Sequence, residues 1–315
     1  MTTVAGLDVG ATTVRAALAD EHGEMLSTAT EPTPTASRDD VVEAIQTVLS
    51  TAADGAGIPL DSVATIGIGA MGPLDSETGS IVDPPNVPGI DRIPVVDAVR
   101  RFHDGDIVFR NDATAGVIGE RFYADGDCEN LVYLTLSSGI GAGAIVNGHV
   151  LRGATGNAAE MGHVMLAPDT GRQCGCGGVG HWEALCSGHN IPATVRTLAA
   201  DAGVETALDL DSLSTPELFD AVGTDPLADI VVERLADWNA QGVAALVHAY
   251  DPERIAVGGA VATSNPETVI DPLRRRLPAF VVGDSPTVDV TALGSDAVLR
   301  GGIASALTGG TGEPL

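Results

Sequence analysis

The chain contains no lysine. All 16 of its basic residues are arginine, set against 43 acidic ones, for a formal net charge of −27 over 315 residues. Three chemistries go with the missing amine. A P-loop needs Gly-Lys-Ser/Thr at the nucleotide phosphates, a protein-kinase site needs its strand lysine, and Schiff-base catalysis needs the amine itself. Any phosphate bound here must be held by backbone N–H groups, hydroxyls, arginine or metal. Nucleic acid is a poor partner, because phosphate-backbone binding rests on basic patches. Aromatic residues are 3% of the chain, so the core must be built from Ala, Val, Leu and Ile. No apolar run reaches the roughly 18 residues of a membrane span. The N-terminal "MTTVAGLDVG" lacks the basic-then-apolar pattern of a leader. The expectation is a soluble, cytoplasmic protein with no membrane partner.

The acids are scattered rather than blocked, which argues for a charged surface rather than an acidic tail. Such a surface repels itself in dilute buffer and needs counterions. In molar salt the Debye length falls to about 3 Å and the repulsion fades. A salt-rich cytoplasm is the setting this composition implies.

The 315 residues suit two α/β domains. "VAGLDVG" reads as a strand, "ATTVRAALAD" as a second running back, and "EHGEMLSTAT" as a third after a turn at Gly23. "SRDD" resembles a capping box and opens a helix from Ser37 to about Ala53. "VATIGIGA" and "DIVFRND" are strands, the latter followed by the helix "ATAGVIGERFYADG". The plan then restarts. "NLVYLTLSSG", "IGAGAIVNG" and "HVLRG" are three strands, with Asn147-Gly148 a hairpin turn. Helices dominate residues 183 to 250, "RIAVGGAVA" is a strand opening into a helix, and a final helix covers about 296 to 308.

Each half thus opens on a strand, a small-residue turn and a returning strand. The first turn offers Asp8, Gly10, Ala11, Thr12 and Thr13; the second offers Ser138 and Gly139. A third small-residue step, Gly258-Gly259, precedes a helix N-terminus. Together these supply hydroxyls and exposed N–H groups for a polyphosphate without lysine.

At this point the chain resembles the ROK family of sugar kinases and repressors, within the actin/hexokinase-like superfamily. "LDVGATTVRAAL" is similar to the family's first phosphate motif, with Ala11 at a usual Gly, and "LTLSSGIGAG" to the second. "IAVGGAVA" is similar to the adenosine motif, and "GATGNAAEMGHV" to the signature ending in Glu-x-Gly-His. "CGCGGVGHWE" resembles the zinc motif Cys-x-Cys-Gly-x-x-Gly-Cys-x-Glu, with His181 in place of the third Cys.

The resemblance implies a two-domain actin-like (ribonuclease H-like) α/β fold with a nucleotide and sugar cleft between domains. Its smaller domain would cover 1–118, with a C-terminal helix at about 296–315 packing back on it. The larger, carrying the zinc motif, would cover 119–295. It implies ATP-dependent phosphorylation of a hexose 6-hydroxyl, glucose first, with fructose, mannose, N-acetylmannosamine or N-acetylglucosamine as the alternative substrates. Asp112 would be general base, Asp8 the Mg²⁺ residue, and Gly72, Asn86, Asn111, Asp112, Glu160, His163 and Glu183 the sugar contacts. The family's usual Asn two residues beyond the base is Thr114 here. It also implies a homodimer or homotetramer.

From the residues themselves, Asn111 and Asp112 are each good helix caps. Cys174 and Cys176 are too close for an easy disulfide, whereas tetrahedral zinc takes Cys and His. His163, Cys174, Cys176 and His181 would make a closed structural site, with Cys186 the alternative fourth ligand. His22, His103, His149, His189 and His248 show no partner pattern. The competing class, a sugar-sensing ROK regulator, needs a helix-turn-helix before the first phosphate strand. That strand begins here at Val4, which favours the kinase.

The charge pattern carries a first prediction. Melting temperature and activity should rise with KCl into the molar range; equal melting in dilute and molar salt would refute the salt-adapted reading.

Overall fold

The computed structural model describes residues 2–84, 87, 89–124 and 127–313. In chain order the elements are β1 (Val4–Val9), β2 (Thr13–Ala19), β3 (Met25–Pro32), α1 (Arg38–Ala56), β4 (Thr65–Ala70), β5 (Leu74–Asp75), β6 (Ser80–Val82), β7 (Arg92–Ile93), α2 (Val95–Arg100), β8 (Asp106–Asn111) and α3 (Asp112–Tyr123). There follow β9 (Leu131–Leu136), β10 (Ile140–Val146), β11 (His149–Val150), α4 (Trp182–Cys186), α5 (Ile191–Ala202), α6 (Thr215–Asp220), α7 (Pro226–Tyr250), β12 (Arg254–Gly258), α8 (Ala260–Ser264), α9 (Pro266–Arg276), β13 (Thr287–Val290) and α10 (Ala297–Thr308). Among the described residues, no helix is long and apolar enough to cross a membrane.

Two compact units form. One comprises Met1–Tyr133, Gly143–Ala159 and Ser295–Leu315; the other comprises Leu134–Ala142 and Glu160–Gly294. A boundary at 118 would cut α3 in mid-helix. That helix runs unbroken to Tyr123 and packs against α10, so residues 119–133 stay with the first unit, as do 143–159.

The first unit is built on a five-stranded sheet ordered β3-β2-β1-β4-β8, antiparallel across β3-β2-β1 and parallel across β1-β4-β8. Strand alternation sorts its faces. Ala5, Leu7 and Val9 join Val41, Ile45 and Leu49 of α1 in one core cluster, while Val4, Ala17 and Ala19 meet Leu299, Ile303 and Ala306 of α10 on the other face. Helix α1 begins at Ser37, whose hydroxyl accepts the Asp40 amide at 3.2 Å. A small sheet β5-β6-β7 lies within 74–93, where the sequence reading names no strand. Its strands are two or three residues long, too short to leave a periodic signal.

The second five-stranded sheet is ordered β11-β10-β9-β12-β13. The Asn147-Gly148 turn joins β10 to β11, with both residues at positive φ (51° and 74°). In the second unit the long α7 packs against α4, α5 and α9. Trp182 of α4 is fully buried; its indole N–H donates to Asn239 of α7 at 2.8 Å, and its ring lies against Gly242.

Helix α10 sits very close to the first sheet. A methyl added at Gly67 of β4 would fall 1.9 Å from the Gly302 carbonyl oxygen, and one at Gly6 of β1 2.6 Å from that of Leu299. Gly67→Ala should therefore cost about 1–3 kcal/mol of stability, by overpacking backbone that cannot retreat cheaply. Gly55→Ala, whose added methyl meets Ser27 Cβ at 3.4 Å, should stay within about 1 kcal/mol of the parent, on the stabilising side. Urea unfolding in molar KCl separates the two; equal stabilities would show that α10 is not seated on β4 as described.

Candidate active site

In the first unit the β1–β2 hairpin carries the first phosphate-type turn. The Gly10 amide donates to the Thr13 carbonyl at 3.0 Å. Thr33 braces the turn from behind: its hydroxyl donates to the Gly10 carbonyl at 2.7 Å and its amide to the Thr12 carbonyl at 2.9 Å. Thr12 stays exposed at the tip beside half-buried Ala11 and Thr13. Asp8 is buried on the α10 side of β1. Its Oδ2 accepts from Arg15 Nε at 3.1 Å and NH2 at 2.7 Å. Arg15 also donates to Asp296 Oδ1 at 3.0 Å and to the Ser295 carbonyl at 2.7 Å. Burial holds the Asp8 carboxyl above the usual range; Arg15 pulls it down and Asp296 pushes it up, both less strongly. Arg15 is absent from the residues singled out by sequence. Its signal lies in the register: residues 8 and 15 are cross-strand partners.

Strand β8 ends at Asn111 and α3 begins at Asp112. Asn111 is the cap: its Oδ1 accepts the amides of Ala113 at 2.9 Å and Thr114 at 3.4 Å. Asp112 is the first helical residue, half-buried, with Oδ1 2.7 Å from the Ala113 amide. A carboxylate there is favoured by the N-terminal end of the helix dipole. Thr114 is buried within α3. Gly72 follows β4 and is half-buried. Asn86 lies outside the described residues.

In the second unit the turn Ser137-Ser138-Gly139 between β9 and β10 is held at several points. The Gly188 amide donates to the Ser137 carbonyl at 2.7 Å and the His189 amide to the Ser138 carbonyl at 3.2 Å. Glu183 Oε2 accepts the Ile140 amide at 3.0 Å. The Gly258-Gly259 step leads into α8, which has only five residues. So few peptide dipoles make a weak helix terminus. Gly259 instead meets a packing need: at φ 85°, a methyl there would lie 2.4 Å from the Leu136 carbonyl oxygen.

His163, Cys174, Cys176 and His181 converge, with their donor atoms all within 4.8 Å of one another. Cys174 Sγ lies 3.6 Å from His163 Nδ1, and Cys176 Sγ 3.2 Å from His181 Nδ1. A tetrahedral zinc at about 2.0–2.3 Å from each donor sets a sulfur–nitrogen pair about 3.5 Å apart, so the donor set fits that ion. Burial, above all, pushes the Cys174 thiol up to about 11. Cys186 is not part of this group. It lies on α4, fully buried against Ile191, Leu235 and Val269, with its thiol pushed well above the usual range by that burial. Its place on the α7-facing side of α4 turns it into the core rather than toward the loop. Glu160 precedes the short 3₁₀ turn Met161–His163. It is exposed by surface area, yet loss of water around its carboxyl raises its pKa, with His163 lowering it and Glu183 raising it. Of the histidines without a predicted partner, His103 is buried, its Nε2 3.4 Å from the Asp106 carbonyl.

Two α/β units, each with a braced strand–turn–strand tip and one with an acid at the start of a buried helix, define a kinase-type protein of the actin-like class. The ROK family model matches residues 4–308, and the chain belongs to the ROK family. It is 36% identical over 98% of its length to a glucokinase of Pyrobaculum calidifontis, covering 96% of that protein. Among solved structures it is similar to a ROK hexokinase from Thermus thermophilus (TM-score 0.78, 32% identity, 97% of this chain and 98% of that one). It is also similar to a ROK family glucokinase from Streptomyces griseus in complex with glucose and AMPPNP (TM-score 0.80, 31% identity, 96% and 99%).

Proposed function

We propose that the protein is an ATP-dependent hexose kinase with glucose as its first substrate. The observation that carries this is the Asn111-capped start of α3, which presents Asp112, in a chain matched almost end to end by a glucokinase. Asp112 takes the proton of the sugar 6-hydroxyl as that oxygen attacks the γ-phosphorus, and the bond to the departing ADP oxygen breaks. The turns at 10–13 and 137–139 hold the phosphates through backbone N–H groups and hydroxyls, the solution left to a chain without lysine. Asn111, Glu160, His163 and Glu183 orient the sugar. Magnesium, when bound, neutralises phosphate charge. Asp8 would be the residue that holds it, since magnesium needs only one or two protein carboxylates beside the phosphates. The Cys/His group would hold a zinc ion in a structural role.

A panel of hexoses with ATP and Mg²⁺ in molar KCl, read by ADP release, tests the substrate. Glucose should lead; a preference for another hexose would move the substrate but not the chemistry. No turnover, with sugar still bound, would point to a sugar-sensing regulator.

Asp112→Asn tests the chemistry. The two Asn111 cap bonds remain, and asparagine keeps the Oδ1 that accepts the Ala113 amide, so folding should survive. The amide cannot accept the hydroxyl proton, so turnover should fall by at least about 10² with little change in sugar affinity. Near-full turnover in a folded Asp112→Asn enzyme would sink the assignment.

Metal analysis should find about one zinc per chain. Cys174→Ala should lose the metal and melt lower, whereas Cys186→Ala should retain it. Zinc lost from the Cys186 variant, or full stability after chelation, would overturn the closed four-ligand site.

A further inference from the structure

Glu183 makes a contact that sugar binding does not explain. Its Oε2 accepts the Ile140 amide at 3.0 Å, directly after the turn Ser137-Ser138-Gly139. The fit is tight, because a methyl at Gly139 would lie 2.8 Å from that same oxygen. The other carboxylate oxygen is 3.9 Å from Cys174 Sγ. The backbone continues the connection: His181 precedes α4, Glu183 lies in its first turn, and the Gly188 and His189 amides bind the carbonyls of Ser137 and Ser138. One nine-residue stretch, 181 to 189, therefore begins at a cluster ligand and ends bonded to the phosphate-type turn.

We propose that Glu183 is a positioning residue for the nucleotide: its carboxylate fixes the Ser137–Gly139 turn in phosphate-binding shape and ties that shape to the Cys/His loop. This rests on the hexose-kinase reading for the identity of the ligand. An amide N–H held by a carboxylate is a charge-assisted bond, stronger than a neutral one. Without it, Gly139 gains room that glycine readily uses, and the turn must be ordered when the nucleotide arrives. The cost then falls on nucleotide affinity even when no sugar is present.

The test is calorimetric binding of AMPPNP–Mg²⁺ in molar KCl without sugar, which a residue acting only on sugar would leave untouched. Glu183→Ala and Glu183→Asp, the latter one methylene too short, should each weaken binding about tenfold. Glu183→Gln keeps an acceptor of the right reach and should stay within about threefold of the parent. Parental affinity in the Ala and Asp variants would overturn the proposal, as would a Gln variant as weak as Ala. Should Glu183→Ala fail to fold, Glu183→Asp decides. Hydrogen exchange of the Ile140 amide in the ligand-free protein gives a second readout: exchange should quicken in Ala and Asp but not in Gln, and unchanged exchange would also overturn the proposal. If the parent binds no AMPPNP, the kinase reading fails, while the exchange measurement still judges the tie.

Discussion

The seating of α10 on β1 and β4 is the constraint from which the first unit follows. Backbone meets backbone there because Gly6, Gly67 and Gly302 present no side chains; the would-be methyl at Gly67 is 1.9 Å from the Gly302 carbonyl oxygen. The same helix presses on α3, where a methyl at Gly301 would come within 1.8 Å of the Ala115 carbonyl oxygen. Such close approach gains dispersion contacts over a long seam and leaves no room to slide. It fixes α3 against β1 and β4, and so fixes Asp112, at the first residue of α3, in the same rigid body as Asp8. It also sets which face of β1 is polar. With Val4 and Gly6 against α10, alternation puts Asp8 on that side, where Arg15, Asp296 and the Ser295 carbonyl gather.

That gathering is expensive for the fold. Burial raises the Asp8 carboxyl above the unfolded value, and Arg15 only partly offsets it. A folded pKa that is raised means the folded state prefers the protonated acid, so stability declines as pH climbs through the shifted value. Wherever Asp8 is ionised, its buried carboxylate is thus a net cost to the fold, tolerated for where it puts that group. Some ion pairs elsewhere add little: Arg38–Asp39 and Arg274–Asp271 are solvent-exposed, and such pairs contribute about 0–1 kcal/mol each. With 43 acids against 16 arginines the chain carries a formal net charge of −27. Counterions must supply what the sequence omits.

What could be read in advance was local. Ser37 before "RDD", Asn147-Gly148 between two apolar runs and Cys-x-Cys beside histidines each state their geometry in a few residues, and each appears in the structure where the pattern lies. What stayed hidden depends on partners far along the chain. Arg15 meets Asp8 only once the hairpin register exists. Asn111 and Asp112 are equally good cap residues by type, and only the backbone shows that the first caps and the second starts the helix. Cys186 follows His181 by five residues, but the packing of α4 on α7 turns it into the core. Glu183 looks like one more polar group near a sugar until β10 begins beside it.

The Cys/His loop shows why a metal suits this place better than packing would. Residues 171 to 180 include Gly171, Gly177, Gly178 and Gly180, and Gly171, Gly177 and Gly180 are at positive φ. Such a segment loses much conformational entropy on ordering and has little apolar surface to return: among its residues only Cys174 and Gly180 are buried. Trp182 anchors one end on α7, but nothing comparable anchors the tip. Four donors within 4.8 Å of one another would supply that anchor on binding a single ion, as proposed above. The Cys174 thiol, held near 11 by burial, is protonated at neutral pH without metal. Zinc binding there would expel that proton and would weaken as pH falls. Because the stretch from His181 to His189 is bonded to the Ser137–Gly139 turn, loosening it frees the phosphate-type turn as well as the polar residues around it. On the proposed reading, a single ion in the second unit would order groups that a larger hydrophobic core would otherwise have to order one by one.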